Sequence, residues 1–193
     1  MSEWQELVIE GKEEAVRAFV TGFLAGRGSA GDVLFGADCA LESASLGERL
    51  RGLLGLGAHT VLFAPAPLAD ALAAPLAAAG DASGLRLVRR CAVASASFAL
   101  RVEVFSRAQA RDIRTALLDG LPEGVVADGL AESEETHPEA HGPEPFAPLH
   151  EYVYRAAARI TGVLPAVVEV RRRAERDFVE AGPLHVEGKP LDG

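Results

Sequence analysis

His137 and His141 stand four residues apart in the chain, with Glu135 and Glu139 beside them. Imidazole nitrogens and carboxylate oxygens together form a donor set for a divalent transition ion such as zinc, nickel or manganese. Pro138 and Gly142 interrupt any helix that would place both histidines on one face, so a solvated acidic loop, or a docking segment for a basic partner, accounts for the same residues. A second cluster is cationic. Arg171, Arg172, Arg173 and Arg176 crowd the end of an amphipathic segment, where they either contact an anion or partner or complement the negative end of a helix dipole.

Gly26, Gly28 and Gly31 spell G-x-G-x-x-G, the spacing that cradles a dinucleotide pyrophosphate. That fingerprint must follow a strand and open a helix, so that free N–H groups meet the phosphate. Here the glycines close a helical pattern and precede a strand, which makes them a helix cap and turn. For nucleophilic catalysis the chain offers no G-x-S-x-G, C-x-x-C or H-E-x-x-H. Cys39 and Cys91 lie in apolar, strand-like runs and read as reduced core thiols. No cofactor is expected.

At 193 residues, 49% hydrophobic and 24% charged, the chain can bury one large or two small cores, which excludes a wholly disordered protein. A net charge of −9 argues against a protein that grips a phosphate backbone and leaves RNA or DNA processing a minor alternative. Only Lys12 and Lys189 among the basic residues are lysines, which with abundant Ala and Gly points to a GC-rich bacterial genome. MSEWQELVIEG is acidic and lacks an apolar signal core. PLADALAAPLAAAG is shorter than the ~20 residues of a membrane span, so a cytoplasmic protein without membrane contact is expected.

The elements follow from periodicity. Leu7 and Ile9 alternate as in a strand, and Val16, Phe19, Val20, Phe23 and Leu24 recur as in a helix. DVLFGADCAL alternates again, with Val33, Phe35, Ala37, Cys39 and Leu41 on one face. SLGERLRGLLGLG reads as a short helix, HTVLFA as a strand, PLADALAAPLAAAG as a helix and LRLVRRCAV as a strand. The pattern then restarts. SFALRVEVF alternates, Ser106 and Gln109 form a capping-box spacing before the helix RAQARDIRTALLDG, and VVADGLAE reads as a strand. AESEETHPEAHGPEPFAPLHE, crowded with glutamates and holding three histidines and four prolines, reads as a long loop. HEYVYRAAARITG fits both strand and helix, the strand being preferred for Tyr152-Val153-Tyr154. A helix VLPAVVEVRRRAERD and a closing strand broken at Gly182-Pro183 complete the chain.

This order predicts an α+β protein made of two tandem ferredoxin-like βαββαβ halves, residues 1–95 and 96–193, each an antiparallel sheet with helices on one face. The acidic loop, 131–149, belongs to the second half. A single doubly wound α/β domain is the alternative. The expected function is a cytoplasmic, non-catalytic binding or regulatory module that self-associates or holds a protein partner or small ligand. A metal-dependent hydrolase centred on residues 131–151 is the enzymatic alternative.

Overall fold

The computed structural model describes residues 3–25, 33–41, 58–78, 84–136, 152–177 and 179–191. The elements are β1 (Trp4–Glu10), α1 (Glu13–Ala25), β2 (Leu34–Phe35), β3 (His59–Pro65), α2 (Ala66–Ala78), β4 (Arg86–Val104), α3 (Arg107–Ile113), a π-helical turn (Arg114–Asp119), β5 (Val125–Thr136), β6 (Tyr152–Gly162), α4 (Leu164–Arg176), β7 (Glu180–Ala181) and β8 (His185–Pro190). The eight strands form one antiparallel sheet in the order β2-β3-β1-β4-β6-β5, with β7 and β8 also pairing with β4. The protein is therefore α+β, and the parallel, doubly wound alternative is excluded. Two compact units divide the chain. The first holds residues 1–95 and 184–193, the second residues 96–183, so the last ten residues group with the first unit and not, as the sequence order implies, with the second.

In the first unit, Leu7 and Ile9 project from β1 into a core with Leu62 and Ala64 of β3. Val16, Val20 and Leu24 of α1 and Ala69, Leu72 and Leu76 of α2 close it, so both helices cover one face of the sheet. Each fully buried leucine here contributes about 1.5–3 kcal/mol. Arg17 ties α1 to the rim, its guanidinium 4.0 Å above the Phe35 ring and bonded at 2.8 Å to both Glu13 and Asp38. The expected strand over 33–41 is cut short. Gly36 donates its N–H to Val61 at 2.8 Å and accepts from Cys39 and Leu41, turning the chain into a 3-10 helix over Ala37–Cys39. The helix expected over residues 45–57 and the glycines 26, 28 and 31 lie outside the described residues.

In the second unit, Phe98, Leu100 and Val102 of β4 face Ile160, Ala158 and Ala156 of β6 in register, the last two pairs setting large against small. These residues are buried, as are Ala110, Ile113 and Leu117 of the α3 segment and Leu164, Val167, Val168, Val170 and Ala174 of α4. The ambiguous segment around Tyr152 is thus a strand, paired on both sides. Ser106 stands at the N-cap of α3 without a side-chain capping bond, contrary to the capping-box expectation. β5 runs on to Thr136, so the first six residues of the expected acidic loop are strand. Its register slips between Asp128 and Ala131, where Gly129 adopts φ +63. A glycine at positive φ is what such a bulge requires, and it blunts the outermost described strand on that side against stray pairing.

Candidate functional site

Burial alternates along β4 from Leu100 to Glu103 and along β6 from Tyr154 to Ile160, and β5 is paired to β6 in register from Ala131 to Thr136. Positions that do not point to the core therefore gather on the opposite face. In one row, Arg101 of β4 is opposite Ala157 of β6, which is opposite Ala131 of β5; in the next stand Glu103, Arg155 and Ser133. Glu180 of β7 lies opposite Arg101 on the other side of β4. These seven residues are exposed and, with Glu132, line an open groove of about 620 Å3. Ala157 and Ala131 supply the low floor that leaves it hollow.

The charges in this groove are unevenly committed. Arg155 is shared between Glu103 (Nε to Oε2, 3.2 Å) and Glu135 (Nη1 to Oε1, 3.3 Å). Those two acids hold its guanidinium charged and fix its plane. On the other side of the sheet, where its register partner Ala156 is buried, Glu132 is engaged at both oxygens, accepting from the Tyr154 hydroxyl at 2.5 Å and from Arg114 Nη2 at 3.2 Å. Burial, then the hydrogen bond and charge of Glu132, hold the Tyr154 phenol well above the usual tyrosine range, with Arg114 offsetting part. Tyr152 is raised by burial and by Glu134, against Arg107, whose guanidinium lies 5.4 Å from its ring centroid. Arg101, in contrast, has no hydrogen-bond or ion-pair partner among the described residues, and neither has Glu180.

Of the sequence-derived metal candidates, Glu135 is on β5 with Arg155, while His137, Glu139 and His141 lie outside the described residues. Among the described residues no three His, Cys, Asp or Glu side chains are grouped to hold a metal ion. The arginine cluster does not converge. Arg171 is 6% exposed and donates to the carbonyls of Gly182 (2.8 Å) and Ala181 (3.5 Å) and to Glu175 (2.8 Å). It clamps β7 from within, a correction to its assignment as an outward anion contact. Arg173 donates to the Ala116 carbonyl at 3.2 Å, Arg176 lies 3.8 Å from Glu169, and Arg172 is exposed. Helical geometry explains the dispersal, because successive residues point about 100° apart. Cys39 and Cys91 are buried and not joined in a disulfide, and burial, reinforced by Glu6 against Arg89, pushes the Cys91 thiol up and away from nucleophilic use.

No protein-family model matches the chain, and no curated protein matches it. Among solved structures it is similar to an unknown protein from Galdieria sulphuraria, at 11% identity over 99% of both chains with a TM-score of 0.27. A likeness of that size carries no argument about fold or function. Among the described residues no helix is long and apolar enough to cross a membrane.

Proposed function

We propose that the chain is a small cytoplasmic, non-catalytic binding module of two tandem ferredoxin-like halves that holds a small ligand on the open sheet face of its second unit. The strand orders support the tandem reading. The first unit runs β4-β1-β3-β2 and the second β7-β4-β6-β5, the same permutation of first, second, third and fourth strands, with β4 serving as last strand of one half and first of the next.

The observation that carries the ligand reading is the 620 Å3 groove, in which Arg101 stands unpartnered among the described residues beside an alanine floor. That volume is within the roughly 300–1,000 Å3 of small-molecule sites. A second copy of the chain fits this face less well. At about 3.3 Å per residue and about 4.8 Å between strands, β5, β6, the second-unit part of β4 and the short β7 cover roughly 500–600 Å2, below the ~800 Å2 per partner of a stable dimer. Catalysis is disfavoured by the groove's chemistry: arginine does not exchange its proton, Glu103 is already bonded to Arg155, and Glu180 stands exposed opposite Arg101.

The test is a thermal-shift screen of small metabolites against the full chain and its Ala157→Trp variant, with circular dichroism confirming the fold. A ligand at 100 times its Kd stabilises by about 2.7 kcal/mol, or about 5–10 °C for a chain of this size. Ligands should stabilise the parent and not the variant. A variant that responds to the same compounds as the parent overturns the reading.

A further inference from the structure

We infer that the groove takes a compact oxyanion, a carboxylate or phosphate group on a small molecule, seated between Arg101, the Nη2 of Arg155 and the hydroxyl of Ser133. This rests on the reading of the groove as a ligand site. The argument is one of remaining hydrogen-bond capacity. Of the acids on this face, Glu103 accepts from Arg155 Nε through Oε2, whereas the Glu132 carboxylate is turned to the other side of the sheet, toward Tyr154 and Arg114. Arg155 spends Nε and Nη1 on Glu103 and Glu135 and keeps Nη2.

What remains open among the described residues is the whole guanidinium of Arg101, one amino group of Arg155 and the Ser133 hydroxyl. Against these stand two open acceptors, the carboxylate of Glu180 and the Oε1 of Glu103. Donors in such excess match a ligand that is rich in acceptor oxygens, and the guanidinium of Arg101, which has no ion-pair partner among the described residues, supplies the charge that makes those bonds strong. Geometry brings them together. Arg101 and Arg155 rise from neighbouring strands on either side of Ala157, Arg101 directly opposite it and Arg155 two residues along β6. Ser133 is opposite Arg155 across β5. Their donors therefore border one hollow over an alanine floor. Glu103 and Glu135 hold Arg155 in place before the ligand arrives, which lowers the ordering cost of binding.

Glu180 limits the charge that fits. Opposite Arg101 on β7, it repels a second anionic group at that end and favours a hydroxyl donor there. Small 2-hydroxycarboxylates and glycerol phosphate esters combine the two features.

Isothermal titration of the full chain with lactate and with glycerol 3-phosphate tests the inference, using Arg101→Ala, Arg101→Lys and Ala157→Trp. At least one probe should bind. Arg101→Ala should weaken it on the order of tenfold or more, and Arg101→Lys, which keeps the charge but loses the fork, should recover part of that loss. A response to lactate alone assigns carboxylates, and a response to glycerol 3-phosphate alone assigns phosphate esters; either supports the oxyanion. Binding of neither probe at millimolar concentration, or an Arg101→Ala affinity within about twofold of the parent's, overturns it. Ala157→Trp separates the two levels. If neutral or cationic metabolites bind and are excluded by the tryptophan while both oxyanions fail, the ligand site stands and the oxyanion falls; if the tryptophan excludes nothing, both fall.

Discussion

Replacing Tyr154 by phenylalanine removes one oxygen from the network behind the groove, and the cost can be worked from its contacts. Tyr154 is 4% exposed, and its hydroxyl donates to Glu132 Oε1 at 2.5 Å. A hydrogen bond to a charged group contributes about 1.5–3 kcal/mol. Glu132, however, retains Arg114 at 3.2 Å and its side chain is 24% exposed, so water and the guanidinium replace part of what is lost. A destabilisation of about 1–2 kcal/mol is expected, read as a lower urea midpoint at unchanged slope. The alkaline limb supplies the sharper test. Folding raises the phenol above its ordinary value, so the folded chain holds a proton that the unfolded chain releases near pH 10. That contribution is fully present below the unfolded value and is lost as pH rises through the folded one, with a slope of about 1.36 kcal/mol per pH unit for each proton. Tyr152 and Tyr154 are the two tyrosines of the chain, so tyrosinate absorbance reports on this network alone. Absorbance in the folded protein should lag behind the ordinary phenol titration and appear with unfolding, and Tyr154→Phe should flatten the decline in stability. Titration of the folded chain at the ordinary tyrosine value, or a phenylalanine variant as stable as the parent with the same alkaline slope, would refute the reasoning.

Arg171→Met leaves the carbonyls of Ala181 and Gly182 without their donor; a loss of about 2–4 kcal/mol is expected by urea unfolding, with faster hydrogen exchange at the Gly182 N–H that pairs with Ala99. A loss below about 1 kcal/mol would mean that Arg171 does not clamp β7. Gly162→Ala would set its Cβ 2.3 Å from the Gly124 carbonyl oxygen and 2.9 Å from the Val125 Cα. Backbone atoms cannot yield as a side chain does, so at least about 1–3 kcal/mol is expected, and a neutral effect in a thermal melt would contradict the close approach of β6 to β5. Phe98→Ala opens a cavity opposite Ile160 in a fully buried layer, with an expected cost of about 3–5 kcal/mol by the same melt.

The sequence was most legible where one face of an element is buried by its immediate neighbours. The alternation of Phe98, Leu100, Val102 and the helical spacing of Val16, Val20, Leu24 both survive in the fold because each pattern has a core on one side only. It misled at 33–41, where alternation was satisfied for two residues before a distant partner intervened: the bond from Gly36 to Val61 turns the chain, and no local window contains Val61. The acidic stretch misled for a related reason. Glu132 and Glu134 have no apolar period, yet across the ladder they face Ala156 and Tyr154 and serve the Tyr154 and Tyr152 hydroxyls, so the partner that makes them strand residues lies some twenty positions away.

The candidate site shows the same limit at larger scale. Its signal was present in the alternation of SFALRVEVF and YVYRAAARITG, which marks Arg101, Glu103 and Arg155 as outward positions, but outwardness is shared by every solvated strand face. What distinguishes Arg101 is that its cross-strand neighbours Ala157 and Glu180 leave it unpaired among the described residues, a property of register between strands that are distant in the chain. Adjacency along the chain carried the opposite message. Arg171, Arg172 and Arg173 look like a concentrated charge, but a helix fans consecutive side chains apart, so one is buried against β7, one is exposed and one bonds Ala116. Strands far apart in sequence can concentrate functional groups on one face, whereas a run of neighbours on a helix disperses them. For an α+β chain such as this one, outward charged positions of alternating strands are therefore a better guide to a binding face than clusters in the linear sequence.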